Sequence, residues 1–400
     1  MQADQSGRTA VQFGAGNIGR GFMGQLFFEA GYQIVFVDAV AELVNALNEA
    51  GEYPLRVLDA ERGAEQNLVI SGIRAAHIQD HEAVHEAIAE AEVIATAVGV
   101  KYLSDIAAPL ASGLRLRAQR SGAPVDVYLC ENLLGAADQL RAAVCDCLPE
   151  SAERRWVDDH VGFVGTSVAR MVPVLPPEVR AHEPLLVVAD GYHKLPYDGP
   201  ARRAPQPPIE GMHPVPDFAA EGERKLFVYN MAHAALAYLG EPLGYTWVHE
   251  TFGSEEAMAV FNGALDEACA GLLRSRPEAF TKAEMDETKA DIRLRFANGM
   301  LKDTIERVGR DPIRKLGRND RLIGCALMCR DAGIEPENIA DICAAALGYR
   351  QASDPDAQRL GQLVEERGPA GALAEVTGLN ADHPLVETVA RRCLQRNPVV

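Results

Sequence analysis

The chain has 400 residues, 48% of them hydrophobic and 24% charged, which is the composition of a folded globular protein and excludes wholesale disorder. The net charge of −18 counts against nucleic acid and anionic membranes as partners, because like charges repel at long range. No run approaches the ~18 consecutive apolar residues of a membrane span, and the polar opening Met1–Arg8 carries no apolar signal region, so a cytoplasmic location is expected.

In the first half, short β-rich runs alternate with amphipathic stretches. Strands are predicted at Ala10–Phe13, Gln33–Val37, Glu92–Val98 and Val125–Cys130. Helices are predicted at Ile18–Ala30, closed by Gly31, at Val40–Ala50, closed by Gly51, and at Leu133–Cys147. This alternation predicts an α/β, Rossmann-type, doubly wound domain over residues 1–190. Val161–Val174 reads as strand and turn. Pro196–Pro216 holds seven of the 23 prolines and reads as an irregular connection that is neither helix nor inner strand. Beyond it the 3.6-residue period recurs at Glu221–Leu239, Glu255–Ser275, Lys282–Phe296, Arg318–Ala332, Pro336–Leu347 and Ala357–Glu366. A mainly α-helical substrate-binding domain is therefore expected over 191–400, with a site in the cleft between the halves.

Gly14-Ala15-Gly16-Asn17-Ile18-Gly19 fits G-x-G-x-x-G, and it follows a predicted strand and opens a predicted helix. In that context Gly14 permits a tight turn, Gly16 lets a pyrophosphate approach the backbone, and Gly19 lets helix and strand pack closely. The helix N-terminus offers free N–H groups to phosphate. Asp38, at the end of the second strand, is placed to bond both ribose hydroxyls and to repel a 2′-phosphate, which favours NAD over NADP. Phe13, Ala15, Asn17 and Ile18 complete the loop. Ala97, Val98 and Gly99 end a later strand, where small residues leave room beside the nicotinamide ribose; a plain core strand is the equal alternative.

Lys225, Asn230 and His233 are polar positions on an otherwise apolar stretch. At about 100° per residue they fall at about 0°, 140° and 80°, so they could line one wall. A dehydrogenase without zinc needs a side-chain base for the hydroxyl proton, and a lysine desolvated from its usual pKa of ~10.4 can serve. Amide N–H groups can then steady the alkoxide. The alternative is a solvated lysine and a satisfied core histidine. The eight cysteines show no Cys-x-x-Cys pair and read as reduced thiols, and no metal site is predicted.

Val11 to Phe22, Cys130-Glu131-Asn132, Lys225 with Asn230 and His233, Phe296-Ala297-Asn298, Leu301-Lys302-Asp303 to Arg310, and Pro312 to Ile323 together resemble the polyol-specific long-chain dehydrogenases, nearest to the branch acting on mannitol 1-phosphate. The resemblance implies Lys225 as general acid/base, Asn132 and Asn230 as donors to the substrate oxygen, Asn132 also beside the cofactor, and His233 orienting substrate or lysine. It implies NAD as cofactor and interconversion of D-mannitol 1-phosphate and D-fructose 6-phosphate without metal. The chain departs from the family pattern at Ala169, at Met231-Ala232 and at Gly191–Leu195. A basic cluster of Lys302, Arg307, Arg310, Arg314 and Lys315 offers a phosphate subsite, with Arg307, Arg314 and Lys315 favoured; surface ion pairs are the alternative. Other activities left open are a dehydrogenase of an unphosphorylated polyol or a reductase of a keto-sugar acid, and, in another class, a non-catalytic NAD-binding sensor. A monomer or homodimer is expected.

Overall fold

A computed structural model of the protein describes residues 7–60, 63–133 and 135–396. The polar tail expected at the N-terminus lies outside the described residues as far as Ser6, as does Leu134 of the predicted stretch 133–147. The chain divides into two compact units, Met1–Phe218 and Ala219–Val400.

The first unit is built on strands β1 (Thr9–Phe13), β2 (Gln33–Asp38), β3 (Glu52–Asp59), β4 (Ala64–Ser71), β5 (Ile73–His77), β6 (Val93–Thr96), β7 (Val125–Leu129), β8 (Val161–Gly165), β9 (Val187–Asp190), β10 (Leu195–Asp198) and β11 (Met212–Val215). Six of them form one sheet in the order β5-β2-β1-β6-β7-β8, with every neighbouring pair parallel. A parallel sheet is covered on both faces, so its strands are continuous apolar runs rather than alternating ones. Alternate side chains still go to opposite faces. Val11, Phe13, Val35, Val37, Ile94 and Val127 pack on one side, while Ala10, Ile34, Phe36, Ala95 and Tyr128 pack on the other with Phe22, Met23 and Leu26. All four predicted strands of the large sheet are present. The order turns back on either side of β1 and β6, the kind of switch point where doubly wound sheets bind ligands.

A second sheet, β4-β3-β9, has no counterpart among the predicted elements; β3 and β4 are an antiparallel hairpin and β9 runs parallel to β3. The proline-rich stretch is more ordered than an irregular connection, since β10 and β11 pair in parallel with Pro196 opposite His213 and Tyr197 opposite Pro214. A two-stranded sheet has only edges, which is where a strand proline is tolerated. This stretch is tied to the first unit: Ser167 N–H donates to Pro196 O, Thr166 bridges Tyr197, and the Asp126 carboxylate accepts from Arg203 N–H and Ala204 N–H. The division accordingly falls after Phe218, whereas the sequence alone drew it at 190.

The second unit is helical. Glu255–Ser275 and Lys282–Phe296 have the predicted bounds, set by caps: Ser254 Oγ accepts from Ala257 N–H, and Thr281 and Glu284 form a capping box. The helix predicted from Arg318 begins at Ile323. That predicted over Ala357–Glu366 runs from Pro355 to Thr377, with a break at Gly368, whose φ is 69°, before Pro369. Pro384–Arg396 adds a further helix. The stretch predicted as one helix, Glu221–Leu239, is three pieces: α-helical Phe218–Arg224, a π-type turn Lys225–Asn230, and α-helical Met231–Gly240.

Candidate active site

In the first unit the glycine fingerprint connects β1 to a π-type turn, Gly19–Met23, in which Gly24 N–H reaches back to Gly19 O. Gly14 has φ +87°, and a Cβ there would stand 2.5 Å from Ala97 O. A Cβ on Gly19 would collide with Gly14 O, so helix and strand touch only because both residues are glycine. Gly16 differs: among the described residues a Cβ there would meet nothing within 4 Å. The loop is thus closed against protein at Gly14 and Gly19 and open at Gly16, which suits the backbone approach of a phosphate group.

Neighbours hold this loop firmly. Arg20, buried, donates from Nε to Ala15 O at 2.7 Å and from Nη1 to Leu185 O at 2.6 Å, and burial lowers its pKa. Asn17 donates to Val172 O and Pro173 O at 3.3 and 3.4 Å. Asp38 lies at the end of β2, with Oδ2 accepting from Ala15 N–H at 2.7 Å and Oδ1 from Val40 N–H at 2.9 Å. Each carboxylate oxygen has a second lone pair, so both bonds are compatible with a ribose contact.

Beside it, Ala97 N–H donates to Phe13 O at 2.8 Å, and Gly99 turns at φ 90°. Glu131 is a residue that sequence reasoning passed over. Its buried carboxylate accepts from Thr96 Oγ1 at 2.6 Å and from Val98 N–H at 3.0 Å, bridging the ends of β6 and β7. Burial raises its pKa despite these two donors. It holds the Ala97–Gly99 turn, with the exposed Asn132 next to it in the chain. Adjacency to Asn132 was the only available signal.

In the second unit, Lys225 and Asn230 bound the π-type turn, where Met231 N–H donates to Leu226 O, five residues back. This changes the arc drawn from ideal α geometry. A turn with i→i+5 bonding winds through less than 100° per residue, so the separation of about 140° that ideal α geometry gives Lys225 and Asn230 is reduced. Every residue of Met231–Gly240 except His233 is buried. His233 Nε2–H donates to Asp303 Oδ2 at 2.9 Å, and its ring stacks on Phe296 at 4.5 Å between centroids.

The three favoured basic residues have protein partners. Arg307 grips Asp303 with two bonds of 2.6 Å, and Arg314 donates to Asp320 at 3.2 Å. Lys315 is buried, 4% exposed, with Nζ donating to Val308 O at 2.6 Å and also to Arg310 O. Burial first, and then Arg321 and Arg314 nearby, lower its pKa to about 7. Among the described residues no group of three or more His, Cys, Asp or Glu is arranged to hold a metal ion, and no helix is long and apolar enough to cross a membrane.

Comparison with known proteins gives a consistent picture. Residues 8–211 match the mannitol dehydrogenase Rossmann domain and residues 219–395 the mannitol dehydrogenase C-terminal domain. The chain is 37% identical over 380 residues to mannitol-1-phosphate 5-dehydrogenase of Bacillus licheniformis, covering 95% of this chain and 98% of that one. Two solved structures share the fold. D-sorbitol dehydrogenase in substrate-free form has a TM-score of 0.81 at 17% identity, over 99% of this chain and 94% of that one. Pseudomonas fluorescens mannitol 2-dehydrogenase with NAD and D-mannitol has a TM-score of 0.73 at 19% identity, over 98% and 92%.

Proposed function

The chain belongs to the mannitol dehydrogenase family, with the family's Rossmann and C-terminal domains both present, and from that premise we propose that it interconverts D-mannitol 1-phosphate and D-fructose 6-phosphate with NAD, with Lys225 as general acid/base and without a metal ion. The observation that carries the choice of substrate is the 37% identity, over nearly the whole of both chains, to a mannitol-1-phosphate 5-dehydrogenase.

The dinucleotide fits the residues present. Phe13 to Gly19 would cradle its pyrophosphate, with the open side of Gly16 toward it. Asp38 would take the adenosine ribose and disfavour a 2′-phosphate. Ala97, Val98, Gly99 and Asn132 would border the nicotinamide. The bound cofactor supplies or accepts the hydride. This chain's own residues handle the proton. In ketose reduction Lys225 Nζ gives a proton to the carbonyl oxygen as negative charge develops there; in alcohol oxidation it takes the hydroxyl proton. Amide N–H groups of Asn132 and Asn230 donate to the same oxygen and lower the cost of that charge. His233 orients the substrate. Arg307, Arg314 and Lys315 remain the candidates for the phosphate.

A second reading, an unphosphorylated polyol as substrate, has one observation in its favour: Arg307 and Arg314 face carboxylates and Lys315 faces carbonyls. The test is NADH consumption by purified protein with fructose 6-phosphate and with fructose, then with NADPH for NADH and after dialysis against EDTA. Preference for the phosphorylated ketose and for NADH, undiminished by EDTA, is the expected result. Turnover of fructose alone would select the second reading. Lys225→Ala should abolish turnover and keep NADH binding; unchanged turnover would remove Lys225 as the acid/base.

A further inference from the structure

Within the second unit, His233 and the pair Asp303–Arg307, 70 positions further on, form one connected set. His233 Nε2 lies 2.9 Å from Asp303 Oδ2. Arg307 closes on the same carboxylate, Nε 2.6 Å from Oδ1 and Nη2 2.6 Å from Oδ2. One face of the imidazole rests on Phe296, with an interplanar angle of 15°. The ring is therefore fixed along one edge and on one face, while 22% of the side-chain surface stays open.

The backbone that carries Asp303 is held as well. Val248 N–H donates to Asp303 O at 2.9 Å, Ile305 N–H donates to Thr246 O at 3.0 Å, and Thr304 bridges Trp247. Lys302, one residue earlier, is left-handed at φ 47°, ψ 48° without being glycine. Such a residue costs roughly 1 kcal/mol or more and persists only where its surroundings determine it.

Charge decides where the protons sit. Burial is the largest influence on the pKa of His233 and lowers it; the hydrogen bond and charge of Asp303 raise it, Arg307 and Arg295, the other charged groups acting on it, lower it, and the net direction is down. Burial by itself would raise Asp303, but the hydrogen bond and charge of His233 and the charge of Arg307 outweigh burial and hold it below the usual carboxylate range. Near neutral pH the pair is thus a neutral imidazole against an ionised carboxylate. A carboxylate only accepts, so Nε2 must bear the ring's single proton and Nδ1 is left with a bare lone pair.

We propose that Asp303, locked by Arg307, is a positioning residue for the dehydrogenase reaction: it fixes His233 in the Nε2–H tautomer so that Nδ1 accepts a hydrogen bond from a hydroxyl of the polyol. This rests on the assignment of His233 to the substrate site made above. A polyol chain is a row of hydroxyl donors, and an acceptor of set direction discriminates among them. Protonation of His233 in acid turns Nδ1 into a donor and removes that acceptor.

The test joins kinetics to a direct measurement of the tautomer. Ring nitrogen-15 NMR on histidine-labelled full-length protein, with the His233 signals assigned by their loss in His233→Asn, should show the proton on Nε2 in the wild type. In Asp303→Asn it should shift to Nδ1, because the new amide can donate to Nε2. With fructose 6-phosphate or fructose, whichever is turned over, Asp303→Asn should lower kcat/KM about 10- to 100-fold, the size of a lost hydrogen bond replaced by two opposed donors. NADH affinity should hold. In the His233→Asn background Asp303→Asn should add nothing further. A proton on Nδ1 in the wild type overturns the proposal whatever the substrate and whether or not the variant folds. So does an Asp303→Asn loss of equal size in both backgrounds. Wild-type protein that turns over neither ketose overturns the function proposed above, and the tautomer still reports on Asp303.

Discussion

Gly14 and Gly16 stand two residues apart and answer to different constraints. Gly14 is held at φ +87° with Ala97 O where its Cβ would be, so Gly14→Ala should cost about 1–3 kcal/mol and lower Tm. Gly16 faces open space, so Gly16→Val should leave Tm in place and weaken NADH binding at least about 10-fold by filling the room a phosphate needs. Thermal melts and NADH titrations on both variants check the contrast; equal losses of Tm would show that Gly16 is a packing glycine. At Lys315 the pKa makes a further prediction. It is about 7 in the folded chain against ~10.4 unfolded, so the unfolded chain binds the extra proton between those values. The stabilisation is complete above pH ~10 and is lost as the pH falls toward 7, at up to ~1.4 kcal/mol per pH unit. Urea unfolding across that range should show this slope in the wild type and a flatter curve in Lys315→Met.

At the level of elements, the π-type turn at Lys225–Asn230 bears most on the proposed site. Its wider winding amounts to one residue inserted into an α-helix, and such insertions recur at functional sites. Deleting Leu226 should restore α winding: Lys225 and Asn230, then four residues apart, still share a face at about 40°, but the shorter backbone path displaces Lys225 by about an ångström, enough to cost roughly 100-fold in turnover. Circular dichroism should then report an intact helical fold while turnover falls by that factor; retained turnover would show that the turn does not set the lysine. The periodicity of Glu221–Leu239 announced a helix here, and three consecutive helical pieces fill that range. Periodicity over so few residues does not separate a 3.6-residue turn from a wider one. The hairpin β3-β4 stayed unread for a related reason. Its sheet is completed by β9, which pairs with β3 more than a hundred residues later, and no local pattern encodes that partner.

For the whole molecule, each unit contains its own buried residues, and every residue proposed to hold the dinucleotide lies before Phe218. Residues 7–218 expressed alone should fold and bind NADH without turning over either ketose, which cooperative melting and NADH fluorescence would test. A fragment ending at residue 190 should fold poorly, because it lacks β10 and β11, the partners of Thr166 and Ser167, and the N–H donors that satisfy the buried Asp126.

Sequence by itself determined the class of the fold, the parallel strands, the dinucleotide loop and the polar residues of the lysine helix. Each is written in local order: a glycine where φ must be positive, a buried strand as a short apolar run, a charged residue in an apolar stretch. Only the tertiary structure decided what those residues meet. The Asp303 carboxylate reaches His233 across 70 positions, Glu131 ties two strand ends together, and the buried Lys315 donates to backbone carbonyls. Such contacts depend on burial and on the direction of a bond in space, and the order of residues along the chain records neither.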